Sequence, residues 1–137
     1  MRFLVDANVL SEATKPVPDP RALDWLKTHE RTLVVTPIIL GELEFGILLL
    51  PAGRKRKDLE SWFARGRSRL RVLDFDAACG AAWARLLARL RKSGQSMPVK
   101  DSLIAASARA HRLTVATRNI RDFRPAGVPL VNPFDEP

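Results

Sequence analysis

Short β-forming stretches alternate with helical patterns along most of this chain, and that alternation limits the fold more than any other feature. Residues 2–5, 32–36, 71–75 and 113–117 are rich in Val, Leu, Phe and Thr, with a weaker fifth stretch at 129–131. Between them, residues 20–30, 37–50, 54–70, 76–92 and 99–111 carry helical spacing. Strands that alternate with helices build βα units, because parallel neighbours need a long crossover that a helix supplies. The expectation is an α/β fold, a single domain over 1–137 with a central parallel sheet of four to five strands.

Local signals sharpen the boundaries. Thr36-Pro37 pairs a capping hydroxyl with proline at the first helical position, and Pro51-Ala52-Gly53 stops the helix it starts. Ser93-Gly94 ends the helix that begins near Asp76. The run Ala105, Ala106, Ser107, Ala108 and Ala110 is small enough to let its helix pack closely on a sheet.

Charge and rare residues limit the chemistry. With 23 Lys+Arg against 15 Asp+Glu the chain carries +8, which favours a polyanionic partner. The lone cysteine, Cys79, excludes an internal disulfide and fits a reducing, cytoplasmic setting. Only three apolar residues follow Arg2 before Asp6, too few for a signal-peptide core. Glu42 and Glu44 interrupt the longest apolar region, so no membrane span is expected. His29 and His111 read as solvent-facing helix-end residues, which leaves carboxylates as the tools of any catalysis.

In parallel α/β sheets, ligands bind beyond the carboxyl ends of the strands. Asp6 ends the first strand. Glu42 lies about one and a half turns into the helix after the second, still near the same edge. Asp101 opens the helix after Pro98, at the positive end of its dipole. Asn119 and Asp122 follow the fourth strand. Taken singly, each acid has a structural explanation: a strand-ending turn, a solvated helix face or a first-turn acid. Their convergence on one rim is harder to explain that way. Converging carboxylates repel, so the site needs a cation, and hard oxygens select Mg²⁺ or Mn²⁺. Such a metal polarises a phosphate oxygen and activates water. A metal-filled acidic rim in a basic protein has the electrostatics of a nuclease.

The stretches VDANVLSE (5–12), TPIILGELEFG (36–46), VKDSLIAA (99–106), VATRNIRDF (115–123) and VNPF (131–134) resemble PIN-domain ribonucleases. The likeness is nearest to VapC/FitB-type toxins. It implies an α/β/α sandwich and a Mg²⁺- or Mn²⁺-dependent endoribonuclease that cuts structured RNA, with transfer RNA the commoner family target. Asp6, Glu42 and Asp101 match the family's three metal carboxylates. Asn119 stands where a fourth acid is common, with Asp122 as a substitute for it or a cap of the next short helix. Asn8 and Thr117 are expected to support the site, and Glu12 to lie outside it. Ala7 replaces a hydroxyl residue common at its position. The resemblance also implies a VapB-like antitoxin, a homodimer, and a larger assembly with antitoxin and operator DNA.

The cations Arg54, Lys55, Arg56, Lys57, Arg85, Arg89 and Arg118 are candidates for RNA or antitoxin contact, or else a solvated surface. Two rival readings stay open. Asn119 leaves room for an inactive PIN-fold module that binds nucleic acid or antitoxin. Lys100, with Asp74 or Asp76 as acceptor, leaves room for a receiver-like aspartyl phosphotransfer domain.

Overall fold

The computed structural model describes residues 1–135. Five parallel strands form one sheet in the order β3-β2-β1-β4-β5. They are β1 (Phe3–Val5), β2 (Leu33–Val35), β3 (Arg71–Val72), β4 (Thr114–Ala116) and β5 (Leu130–Val131). Each is one to three residues shorter than its β-rich stretch, because pairing stops where the chain turns away at the rim. The major helices are α2 (Pro20–His29), α3 (Pro37–Leu48), α4 (Arg54–Arg69), α5 (Ala77–Lys92) and α6 (Val99–His111). The four-residue helices α1 (Ala7–Leu10) and α7 (Ile120–Phe123) complete the set.

Helix starts follow the capping chemistry. Asp19 Oδ1 accepts from Arg21 N at 2.9 Å ahead of Pro20, and Thr36 Oγ1 accepts from Ile39 N at 3.4 Å ahead of Pro37. Asp76 Oδ1 accepts from Cys79 N at 3.0 Å to open α5. α6 ends on Arg112 in the left-handed region, φ 56°, a conformation that costs a residue with a Cβ.

β1 lies at the centre, paired with β2 through Phe3↔Leu33 and with β4 through Phe3↔Thr114. Its three residues alternate between two cores. Leu4 joins Val34, Ile39, Ile104, Leu113 and Phe123 on one face, while Phe3 and Val5 join Trp25, Leu33 and Phe134 on the other. Burying each of these aliphatic side chains contributes about 1.5–3 kcal/mol. Both faces are therefore covered, as a parallel sheet requires. The chain leaves β1 towards β2 and β3, then crosses back to β4 on the opposite side of β1. The switch point, and with it the crevice for a ligand, falls at the carboxyl ends of β1 and β4.

Two expectations fail here, and one rival reading falls with them. His29 is half-buried rather than solvent-facing: its ring lies 4.5 Å from Trp25 and 4.9 Å from Phe3, and Nδ1 bonds Trp25 O at 2.8 Å. His111 is likewise half-buried, with Nε2 shut away from solvent. Packing against neighbouring elements covers both, which a position near a helix end does not reveal. Asp74 and Asp76 follow β3, an edge strand, and Asp76 is committed to capping α5. The phosphotransfer reading loses its acceptor.

Candidate metal centre

Asp6 is the last residue before α1 and is 3% exposed. A carboxylate so buried must be satisfied by donors, and the chain supplies them from two loops. Asp6 Oδ1 accepts Ala7 N at 2.8 Å, in the geometry of a helix cap. Asp6 Oδ2 accepts the Thr117 hydroxyl at 2.8 Å and Asn8 Nδ2 at 3.3 Å. Thr117 is fully buried and its Oγ1 in turn accepts Asn119 N at 3.0 Å. Asn8 Oδ1 accepts Arg118 N at 3.1 Å. The loops after β1 and β4 are thus laced together at the switch point, with Asp6 held in one orientation.

Asp101 reaches the same place from the first turn of α6 and is 6% exposed. Burial, and then the negative charge of Asp6, push its carboxyl up to about 6, against an ordinary 3.8. The Lys100 ammonium opposes that rise and Asp122 adds to it. Glu42 arrives on α3, partly exposed, and forms an ion pair with Lys100. Asp6, Asn8, Glu42, Lys100, Asp101 and Asn119 line one open cavity of about 390 Å³, walled by Leu43, Ile47, Leu59 and Trp62.

The structure therefore brings together Asp6, Asn8, Glu42, Asp101 and Asn119, with Thr117 directly beneath them. It leaves out Asp122, which is exposed, does not line the cavity, and acts on Asp101 only through its charge. Nor does Asp122 cap α7: Asn119 occupies that position, and its side chain makes no capping bond. Lys100 is the cavity residue that spacing did not assign, although its place beside Asp101 was the available signal. Glu12 lies outside the cavity, as expected. It accepts Asp19 N at 2.8 Å and pairs with Lys15 at 2.9 Å, which holds its carboxyl below the usual range.

The donor set fits a hard divalent cation. Two buried carboxylates share the cavity, one of them is pushed towards protonation by burial and then by the other's charge, and the ammonium nearby is engaged with Glu42. Every candidate ligand is oxygen, the chemistry that suits Mg²⁺ or Mn²⁺.

A family model described as PIN domain matches residues 3–127. The chain belongs to the PIN-domain family. Among relatives of this PIN domain, the plasmid stability protein StbB of Pseudomonas syringae pv. tomato is 37% identical, over 97% of this chain and 99% of its own. The VapC ribonuclease Y4jK of Sinorhizobium fredii is 36% identical, over 97% of this chain and 98% of its own. Among solved structures, FitAcB from Neisseria gonorrhoeae superposes with a TM-score of 0.88 at 31% identity, covering 98% of this chain and 99% of that one. VapBC2 from Rickettsia felis, bound to a DNA fragment from its promoter, gives 0.82 at 27% identity, covering 96% and 98%. The alternating strands and helices are thus those of a PIN domain of the VapC/FitB type.

The basic residues divide. Arg54, Lys55 and Lys57 are exposed at the start of α4, and Arg85 is exposed on α5. Arg118 is exposed with its guanidinium 4.4 Å from the Phe134 ring. Arg56 is half-engaged, donating to Leu50 O at 3.4 Å and pairing with Glu60 at 3.5 Å. Arg89 is exposed but engaged: its Nη2 donates to Pro125 O at 3.1 Å and Ala126 O at 3.0 Å, tying α5 to the segment after α7. A regular stripe of cations along a helix does not reveal which of them finds a carbonyl on a distant segment. No helix among the described residues is long and apolar enough to cross a membrane.

Proposed function

We propose that this PIN domain is the toxin of a cytoplasmic toxin–antitoxin pair, an endoribonuclease that depends on Mg²⁺ or Mn²⁺ and cuts structured RNA. Transfer RNA is the favoured substrate class. The observation that carries the reading is the pair Asp6 and Asp101, buried side by side in an open cavity, with the Asp101 carboxyl forced up to about 6. Asp6, Asp101 and Glu42 would hold the cation. When bound, the cation supplies charge stabilisation at a phosphate oxygen and an activated water. Thr117 and the Ala7 amide orient Asp6, and Asn8 braces the turn beside it. Asn119 brings an amide oxygen but no charge to the same rim.

Four cations at residues 54–57 stand at the positive end of the α4 dipole, with no acid in that first turn. Each such placement costs about 0.3–1 kcal/mol, which supports an anionic partner there. Ribonuclease and promoter-bound names among the relatives support RNA cleavage and an antitoxin complex on operator DNA. Exposed Phe45 and Leu48 on α3, with Leu49 just past its end, support a homodimer.

The test is antitoxin-free protein incubated with total cellular RNA in Mg²⁺ or Mn²⁺. Cleavage is expected, lost in chelator and lost in Asp6→Asn and Asp101→Asn variants that remain folded. Growth arrest on expression should be relieved by the same substitutions. Glu42 tied to Lys100 and a neutral Asn119 favour one second reading, a PIN module that binds without cutting. RNA retained but uncut under both metals would select it.

A further inference from the structure

A second group of ligand-type side chains lies at the opposite end of α6 from the cavity. Asp76 caps α5, Cys79 follows three residues later, and His111 is the last residue of α6. A carboxylate oxygen, the sulfur and a ring nitrogen from these three all lie within 4.8 Å of one another. Ten residues of α6 separate His111 from Asp101, about 15 Å along the helix.

Three observations show that the grouping is more than proximity. His111 Nε2 is enclosed and makes no hydrogen bond among the described residues, an unusual state for a buried polar atom. Cys79 is fully buried, and its sulfur approaches the Asp74 carbonyl only at 4.0 Å. The three groups come from two elements and present one nitrogen, one sulfur and one oxygen, a softer set than the all-oxygen rim. An activated nucleophile is not what this arrangement provides, because burial pushes the Cys79 thiol up and no exposure admits a substrate to the sulfur.

We propose that Asp76, Cys79 and His111 form a zinc-class metal site, distinct from the carboxylate rim, with water as the fourth ligand. Mixed Cys, His and carboxylate ligation suits zinc and rejects magnesium. Tetrahedral zinc places its ligand atoms roughly 3.3–3.7 Å apart, so these three need to close by about 1 Å. Asp76 is exposed, and with its Oδ1 capping Cys79 N, its Oδ2 is the oxygen left to serve a metal. The occupied site clamps the first turn of α5 to the last turn of α6, the helix whose other end carries Asp101.

The chain has a single cysteine, which makes the test specific. Cobalt(II), the spectroscopic stand-in for zinc, is titrated into chelator-stripped full-length protein. A sulfur-to-cobalt charge-transfer band is expected in the near ultraviolet, displaced by one equivalent of zinc. Asp6→Asn should leave that band unchanged, since the rim has no sulfur. Cys79→Ser should abolish it. His111→Gln and Asp76→Asn should each weaken cobalt affinity at least about tenfold. Asp76→Asn retains a capping oxygen, so it keeps the test valid if Cys79→Ser fails to fold. No charge-transfer band at saturating cobalt, or a band of unchanged affinity in His111→Gln and Asp76→Asn, would overturn the proposal.

Discussion

Replacing Asp101 with asparagine should stabilise the cation-free protein while removing its activity. The Asp101 carboxyl sits at about 6 in the folded chain against an ordinary 3.8. That difference corresponds to about 3 kcal/mol between the protonated and charged forms. Water and counterions in the open cavity screen part of it, which leaves about 1–2 kcal/mol as the expected effect. Because the folded carboxyl titrates above the unfolded one, the folded state holds the proton more tightly between 3.8 and about 6. Stability therefore falls as pH rises through that window, and the full cost is present above it. Asp101→Asn should thus melt higher in chelator at about pH 8, by roughly 3–6 °C. The gain should shrink to a fraction at about pH 4. Adding Mg²⁺ or Mn²⁺ should raise the wild-type melting temperature and narrow the gap, since the cation neutralises what the substitution removes. Thermal melts at both pH values, with and without metal, measure all of this. An asparagine variant no more stable than wild type at pH 8, or equally favoured at pH 4, would refute the electrostatic account of the rim.

Thr117→Val removes the hydroxyl that serves both Asp6 Oδ2 and Asn119 N. It should cost about 1–3 kcal/mol in denaturant melts and weaken divalent-cation affinity on the order of 10–100-fold by calorimetry. Arg89→Ala should lower stability by about 1–2 kcal/mol through lost bonds to Pro125 and Ala126, while RNA binding measured by gel shift stays unchanged. Arg112→Gly relieves a left-handed conformation at the end of α6 and should raise stability by about 0.5–1 kcal/mol in the same melts.

Short-range patterns carry most of the fold. Thr36-Pro37, Pro51-Ala52-Gly53 and Ser93-Gly94 set helix limits within a few residues of each boundary, because caps and breakers act through neighbouring backbone groups. Strand ends and helix starts, both local signals, bring Asp6, Glu42, Asp101 and Asn119 to one edge. Asp122 shows the limit of local signals. It lies only three residues beyond Asn119, yet one helical turn moves it out of the cavity.

By itself, the sequence determined the alternation of elements, the covered parallel sheet and the identity of the rim carboxylates, since periodicity and capping are local. Tertiary structure alone decided the strand order β3-β2-β1-β4-β5, which puts the switch point beside Asp6. It also decided the pairing of Lys100 with Glu42 and of Thr117 with Asp6, and the proximity of His111 to Asp76 and Cys79. These partners are separated by about thirty to more than a hundred residues, and nothing in local spacing encodes which distant side chains will meet. Only the packing of helices on the two faces of the sheet brings them within reach, and the electrostatics of the rim follow from that packing.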